Sequence, residues 1–171
     1  MDNFKSFGYL KYDPNNLKTR FKPWWALLKC DEGLTAYYRG WIGKEFGYNL
    51  RSDNWMGKAG LNISPNKLWP VTQHGVQTTR SAWGSHISII RGERPADKSL
   101  WKKYENKKIW FEYNPEYLNH NGKHWWIKAI SPQLEEIRIE LGLTPQPTYR
   151  CRNSGKMKVN PFHLTIGHML N

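Results

Sequence analysis

A chain of 171 residues can bury one domain's core, and 26 Lys+Arg against 14 Asp+Glu give it a formal charge of +12. That excess attracts phosphate-bearing partners, while two cysteines in no metal-ligand spacing exclude a disulfide-stapled scaffold or a thiolate cluster. Ten Trp and nine Tyr supply core as well as rings on which nucleobases stack.

Along the chain, "MDNFKSFGYLKYD" lacks the apolar stretch of a signal peptide, and no apolar run approaches membrane-spanning length. The expectation is a soluble intracellular protein with free thiols and no membrane partner. "KPWWALLKC" reads as a short helix beginning near Pro23, and "TAYYRGWIGKEFGYNL" as a helix weakened by Gly40, Gly43 and Gly47. "GLNISPNKLWP" reads as loop. "HISII" is a short apolar strand ended by Arg91-Gly92, and "KKIWFEY" has the period of two of a half-buried strand. A turn at Asn121-Gly122 joins it to "HWWIKAI", which predicts a hairpin over 108–129. "SPQLEEIRIELGL" is a helix with Ser131 as N-cap, Pro132 at its first position, Leu134, Ile137 and Leu141 inward, and Gly142 as its stop. A basic, proline-containing loop follows, and the chain closes on the strand "FHLTIG". No sequence repeat or linker divides the chain, so residues 1–171 are expected to form a single α+β domain.

Two stretches match: His86-Ile87-Ser88-Ile89 and His163-Leu164-Thr165-Ile166. Side chains alternate along a strand, so each motif turns an imidazole and a hydroxyl to one face and apolar residues to the other. One such string is an ordinary strand; two among six histidines form a pair. If the strands lie side by side, two imidazoles flank one point and two hydroxyls converge on it. That suits in-line displacement at a phosphodiester phosphorus, with a neutral histidine as general base and a protonated one as general acid. Ser88 and Thr165 would hold the non-bridging oxygens. The other histidines, His74, His120, His124 and His168, show no HExxH spacing and no tight carboxylate cluster, so no metal and no cofactor is expected.

Paired His-x-Ser/Thr strands resemble the two-histidine (2H) phosphoesterases. Within these, "SAWGSHISIIRGE", "LWKKY", "IWFEY", "NGKHWWI", "SPQLEEIRIELGL" and "PFHLTIG", covering roughly residues 81–167, look like the phage anti-CBASS protein one family. The resemblance implies a bilobal 2H fold of two strand-rich lobes around a central cleft. It implies metal-independent cleavage of 3′,5′ bonds in cyclic di- and trinucleotides, the messengers of CBASS immunity, in the cytoplasm of an infected bacterium. His86 and His163 would be the acid–base pair and Ser88 and Thr165 the phosphate holders, with serine standing where threonine is commoner.

Further substrate-binding candidates are Trp83, Trp125 and Trp126 as stacking platforms, and Arg91 and Lys123 for phosphate. Arg91 lies on the odd-numbered side of its motif unless the chain turns at Gly92. Glu93 and Glu140 could orient a histidine or the substrate. No obligatory protein partner is implied. Two rival readings share the composition: a 2H phosphoesterase acting on RNA 2′,3′-cyclic phosphates or 2′-5′ linkages, and a basic, Trp-rich module that sequesters nucleotides uncleaved.

Overall fold

In a computed structural model the structure describes residues 3–14, 23–46, 50–51, 84–121 and 124–169. Strands β1 (Phe4–Tyr12) and β2 (Trp25–Cys30) precede helix α1 (Glu32–Phe46), a short β3 (Leu50–Arg51) and β4 (His86–Arg91). Strands β5 (Lys108–His120) and β6 (His124–Ile130) then precede helix α2 (Pro132–Glu140), the ribbon β7 (Thr148–Arg150) and β8 (Met157–Val159), and β9 (His163–Met169). Neighbours pair in the order β9-β4-β2-β1-β5-β6, and β6 pairs back onto β9. Six antiparallel strands therefore close into one barrel.

This corrects the expected bilobal α+β 2H architecture. The described chain is mostly β, and no cleft separates two lobes, because β1 pairs β5 and β4 pairs β9 across the two halves. The helix read at "KPWWALLKC" is also overturned: Trp25, Ala26, Leu27 and Leu28 are all buried in β2. A short run buried on both faces has no period that distinguishes strand from helix. The strands at "HISII", "KKIWFEY", "HWWIKAI" and "FHLTIG" and the helix at "SPQLEEIRIELGL" stand. The helix read through Leu50 ends at Phe46, and the loop after Gly142 carries the ribbon β7–β8. "GLNISPNKLWP" and Gly122 of the expected turn lie outside the described residues.

The barrel interior is apolar. Leu10, Leu28, Ile87, Ile109, Ile127 and Leu164 have no exposure, and helix residues Tyr38, Ile42, Leu134 and Ile137, with Leu141 just after α2, join the same cluster. Ser131 does precede α2 in an extended conformation, yet its hydroxyl donates to the Trp110 carbonyl (2.7 Å) rather than capping the helix. Gly142 ends the helix with φ +74°, a value costly for residues with a Cβ.

The halves repeat each other in structure. Each has two paired antiparallel strands, then a helix, and later a histidine strand. Cys30 N–H donates to the Ser85 carbonyl, and Ala129 N–H donates to the Phe162 carbonyl, both at 2.8 Å. Ile87 faces Leu164 at the centre of the β4–β9 pair, so a local two-fold axis exchanges the motifs.

Each histidine strand also carries a β-bulge at the same place. Ser88 pairs with Leu27 but Ile90 with the adjacent Ala26, which leaves Ile89 as an extra residue. Thr165 pairs with Trp126 but Gly167 with the adjacent Trp125, which leaves Ile166 extra. A bulge removes its residue from the ladder; here a buried arginine serves each stranded carbonyl. Arg138 of α2 donates to Ile89 O (2.6 Å), and Arg39 of α1 donates to Ile166 O (3.0 Å). Arg138 is further gripped by both Glu93 carboxylate oxygens at 2.8 Å and bonds Thr144 O at 2.7 Å.

Removing one partner of a buried ion pair leaves the other uncompensated. Arg138→Met should therefore destabilise the fold by about 3–5 kcal/mol in urea titrations. A loss under about 1 kcal/mol, against that expectation, would mean that the bulge does not need its arginine.

Candidate functional site

The register set by Ile87 opposite Leu164 places His86 opposite Thr165 and Ser88 opposite His163 on the outer face of the barrel. The two histidines are then diagonal neighbours, with Cβ atoms roughly 7 Å apart by sheet geometry. Each imidazole sits across from the other motif's hydroxyl, about the local two-fold.

Backbone contacts orient both rings. His86 Nδ1 lies 2.8 Å from Gly84 O, and His163 Nδ1 lies 2.8 Å from Pro161 O. A carbonyl only accepts, so each neutral ring carries its proton on Nδ1 and offers Nε2 as the base. The contact reaches two residues back in both motifs, another element of the two-fold.

His86 is buried and His163 half-buried. Burial pushes the His86 pKa down to about 4; Lys29 and Arg91 push the same way, while the Gly84 bond and Glu32 oppose it. His163 is also held below the ordinary histidine value, first by burial and then by the charges of Arg91 and of His86 when protonated, against its bond to Pro161. Both rings therefore rest neutral, His86 more firmly.

Cross-strand neighbours complete the site. Lys29 pairs with His86 and Lys128 with His163, at matching positions of the two halves. Their surroundings break the symmetry. Lys29 Nζ lies 3.1 Å from Glu32 Oε1, which also accepts the Ser85 N–H at 2.6 Å. Gly84 has φ +43°, a backbone conformation that side chains with a Cβ rarely adopt, so glycine is favoured beside His86. Lys128 is exposed.

Arg91 reaches the site for a reason that strict alternation conceals. The bulge at Ile89 flips the parity of β4, so Arg91 pairs with Trp25 and lies over its ring at 5.6 Å. From there its charge acts on both His86 and His163. The corresponding register position in β9 is His168, opposite His124.

Among the other candidates, Trp126 is half-buried with its ring 6.4 Å from that of His163, edge to face. Trp125 does not line the site: it turns into the core and stacks on His120 at 4.4 Å. Glu93 is committed to Arg138, and Glu140 pairs with Lys103. Trp83, Lys123 and His74 lie outside the described residues. Lys29, Glu32 and Lys128 were missed in the sequence. Their signal was a lysine followed ten positions later by a buried arginine, Lys29 with Arg39 and Lys128 with Arg138. Among the described residues no three His, Cys, Asp or Glu side chains cluster to hold a metal.

His86 titrates lower folded than unfolded, so its contribution to stability is complete above pH 6.5 and is lost as pH falls toward about 4. His86→Gln should flatten the acid side of a stability–pH curve, removing up to about 3 kcal/mol of pH dependence. Parallel wild-type and variant curves from denaturation at pH 7 and pH 4.5 would contradict the burial of this ring.

Compared with known proteins, the chain matches no protein-family model, no curated protein and no solved structure.

Proposed function

We propose that the chain is a metal-independent phosphodiesterase of the two-histidine type, acting on 3′,5′ bonds of cyclic di- and trinucleotides. The observation that carries the reading is the pairing of the two motif strands, with both imidazoles and both hydroxyls turned to one face. The cyclic substrate rests on the resemblance of residues 81–167 to the anti-CBASS family. Its consequence would be destruction of an immune messenger in the bacterial cytoplasm.

The two-fold suits the reaction. A phosphorane formed by in-line attack has attacking and leaving oxygens at opposite apices, and an axis through phosphorus exchanges them. His86, the more firmly neutral ring, is assigned the general base despite its reduced basicity, and takes the 2′-hydroxyl proton on Nε2 as the 2′-oxygen attacks phosphorus. The bond from phosphorus to O5′ then breaks, and O5′ takes a proton from His163 Nε2. The products are a 2′,3′-cyclic phosphate and a free 5′-hydroxyl. His163 is more accessible, and an anionic phosphodiester beside it favours its protonated form. Ser88 and Thr165 donate to the non-bridging oxygens, where charge accumulates; Arg91 and Lys128 add positive charge.

His86→Ala and His163→Ala should each lower kcat/KM by about 10²–10⁴ or more, with EDTA without effect. The decisive assay gives metal-stripped wild type and the double variant 3′,3′-cGAMP, a cyclic trinucleotide, 2′-5′ oligoadenylate and an RNA ending in a 2′,3′-cyclic phosphate. Product masses then identify the bond cleaved. Turnover of only the last two would move the substrate to RNA ends, and intact but bound ligands would make the protein a sequestering module.

The acid–base assignment has its own signature. The kcat/KM profile should be bell-shaped, with its acid limb near the His86 value of about 4 and its alkaline limb below 6.5. The alkaline limb of kcat should lie higher, because bound phosphate stabilises the imidazolium. A kcat/KM profile still rising through pH 8 would reject these roles.

A further inference from the structure

We propose that the outer face of β1 and β5 is a binding surface for single-stranded nucleic acid, separate from the phosphoryl-transfer chemistry. This face lies across the barrel from the β4–β9 pair, where the local two-fold emerges again between β1 and β5.

Its aromatic part is a contiguous group. Phe7 pairs with Trp110 across the strands, with ring centroids 5.1 Å apart, and Phe7 lies 5.9 Å from Tyr9. Trp110 is 50% exposed and Tyr9 46%. These large rings stand in water on the solvent face of a barrel whose core is otherwise complete.

The cationic part is interleaved with it. Lys108 Nζ sits 3.9 Å from the Phe7 ring centre and 4.8 Å from that of Trp110, while Lys107 Nζ lies 4.8 Å from the Tyr104 ring. Neither lysine has a carboxylate within ion-pair distance among the described residues. The acids on this side, Glu112, Glu105 and Glu140, are matched to Lys5, Lys11 and Lys103. Lys107 acts on Glu140 beside Tyr104, so Lys108 is the lysine charge left for an anion directly beside the Phe7 and Trp110 rings.

Exposed rings bordered by an uncommitted lysine fit a base and its phosphate. Stacking on such rings strengthens binding per base irrespective of sequence, while the phosphate draws the lysine off the ring faces. A duplex keeps its bases stacked inside and offers nothing to these rings, so the occupant is single-stranded. A second copy docked about the local two-fold would set the lysines of one chain against those of the other.

The face is also continuous with the histidine site. Lys108 pairs with Tyr9, Tyr9 with Lys29, and Lys29 with His86. Three strand spacings separate the ends of this row, roughly 14 Å along the surface. A strand lying on the aromatic group could thus run toward the imidazoles.

The test is fluorescence anisotropy with labelled oligodeoxythymidylate about a dozen nucleotides long. It has no 2′-hydroxyl, so binding is read whether or not the protein cleaves phosphodiesters. Wild type should bind, more weakly as salt rises. Trp110→Ala with Lys108→Ala should weaken binding about tenfold or more. Lys158→Ala, on the exposed β7–β8 ribbon, controls for bulk charge. Because Trp110 is half in water, the double variant should keep its circular-dichroism melt; Lys108→Glu alone provides a second variant if it does not. No binding at low salt would overturn the proposal. So would affinity unchanged in the double variant, an equal loss in Lys158→Ala, or a dimer in sedimentation that buries Trp110.

Discussion

One strand pair governs the molecule: β4 against β9, crossing at Ile87 and Leu164. It is at once the seam between the halves, part of the apolar interior and the platform of the candidate site. Inward, the two residues are fully buried; outward, the same register sets imidazole against hydroxyl on both sides of the axis. A slip of one residue would turn all four polar side chains into the core. Burial of Ile87, Ile89, Leu164 and Phe162 therefore fixes the chemistry of the opposite face, and no separate device is needed to bring the histidines together.

The bulges turn that platform into a site. Without them a strand would present only His86 and Ser88 outward before leaving the barrel. The extra residue at Ile89 lets Arg91 join them, at the expense of a carbonyl taken out of the ladder. Arg138 answers that carbonyl from a helix, and Arg39 does the same at Ile166. The helices thus do more than cover apolar surface: each sends one buried guanidinium to hold the backbone irregular at one place. Because the two bulged residues lie toward opposite ends of the antiparallel pair, α1 and α2 lock it from both ends.

Much of the local structure was legible in the residues. Period-two alternation marked β5, a turn signal led to β6, short apolar runs marked β4 and β9, and Ser131, Pro132 and Gly142 bounded α2. The two motifs identified the histidine face before any pairing was known. Closure was not legible, because "HISII" and "FHLTIG" say which face is apolar but not which strands adjoin. The buried run Trp25–Leu28 has no alternation, and so read as helix. Trp125 and Trp126 looked alike as stacking candidates; alternation separates them only once β6 is placed against β9. Arg91 fell on the wrong parity, since an extra residue in a strand leaves no mark in its own sequence. Its mark is remote, in arginines spaced alike from Lys29 and Lys128.

What the two-fold repeats, the charges divide. The backbone supplies equivalent histidines, each with the same tautomer and the same lysine across the strand. Yet Lys29 is tied to Glu32 and Lys128 is not, and His86 is buried more deeply than His163. A symmetric pair of neutral imidazoles offers two bases and no acid. Proton transfer in one direction needs the rings to differ, and the difference is built from the groups around them. Deeper burial, with the charges of Lys29 and Arg91 beside it, keeps His86 neutral, and Glu32 acts against them. Partial exposure leaves His163 open to the field of an incoming anion, so in the proposed reaction the phosphate itself would help to make the acid that expels its leaving group. Specificity for one bond direction would then reside in the unequal burial of the two rings rather than in the histidines themselves, which the fold makes alike.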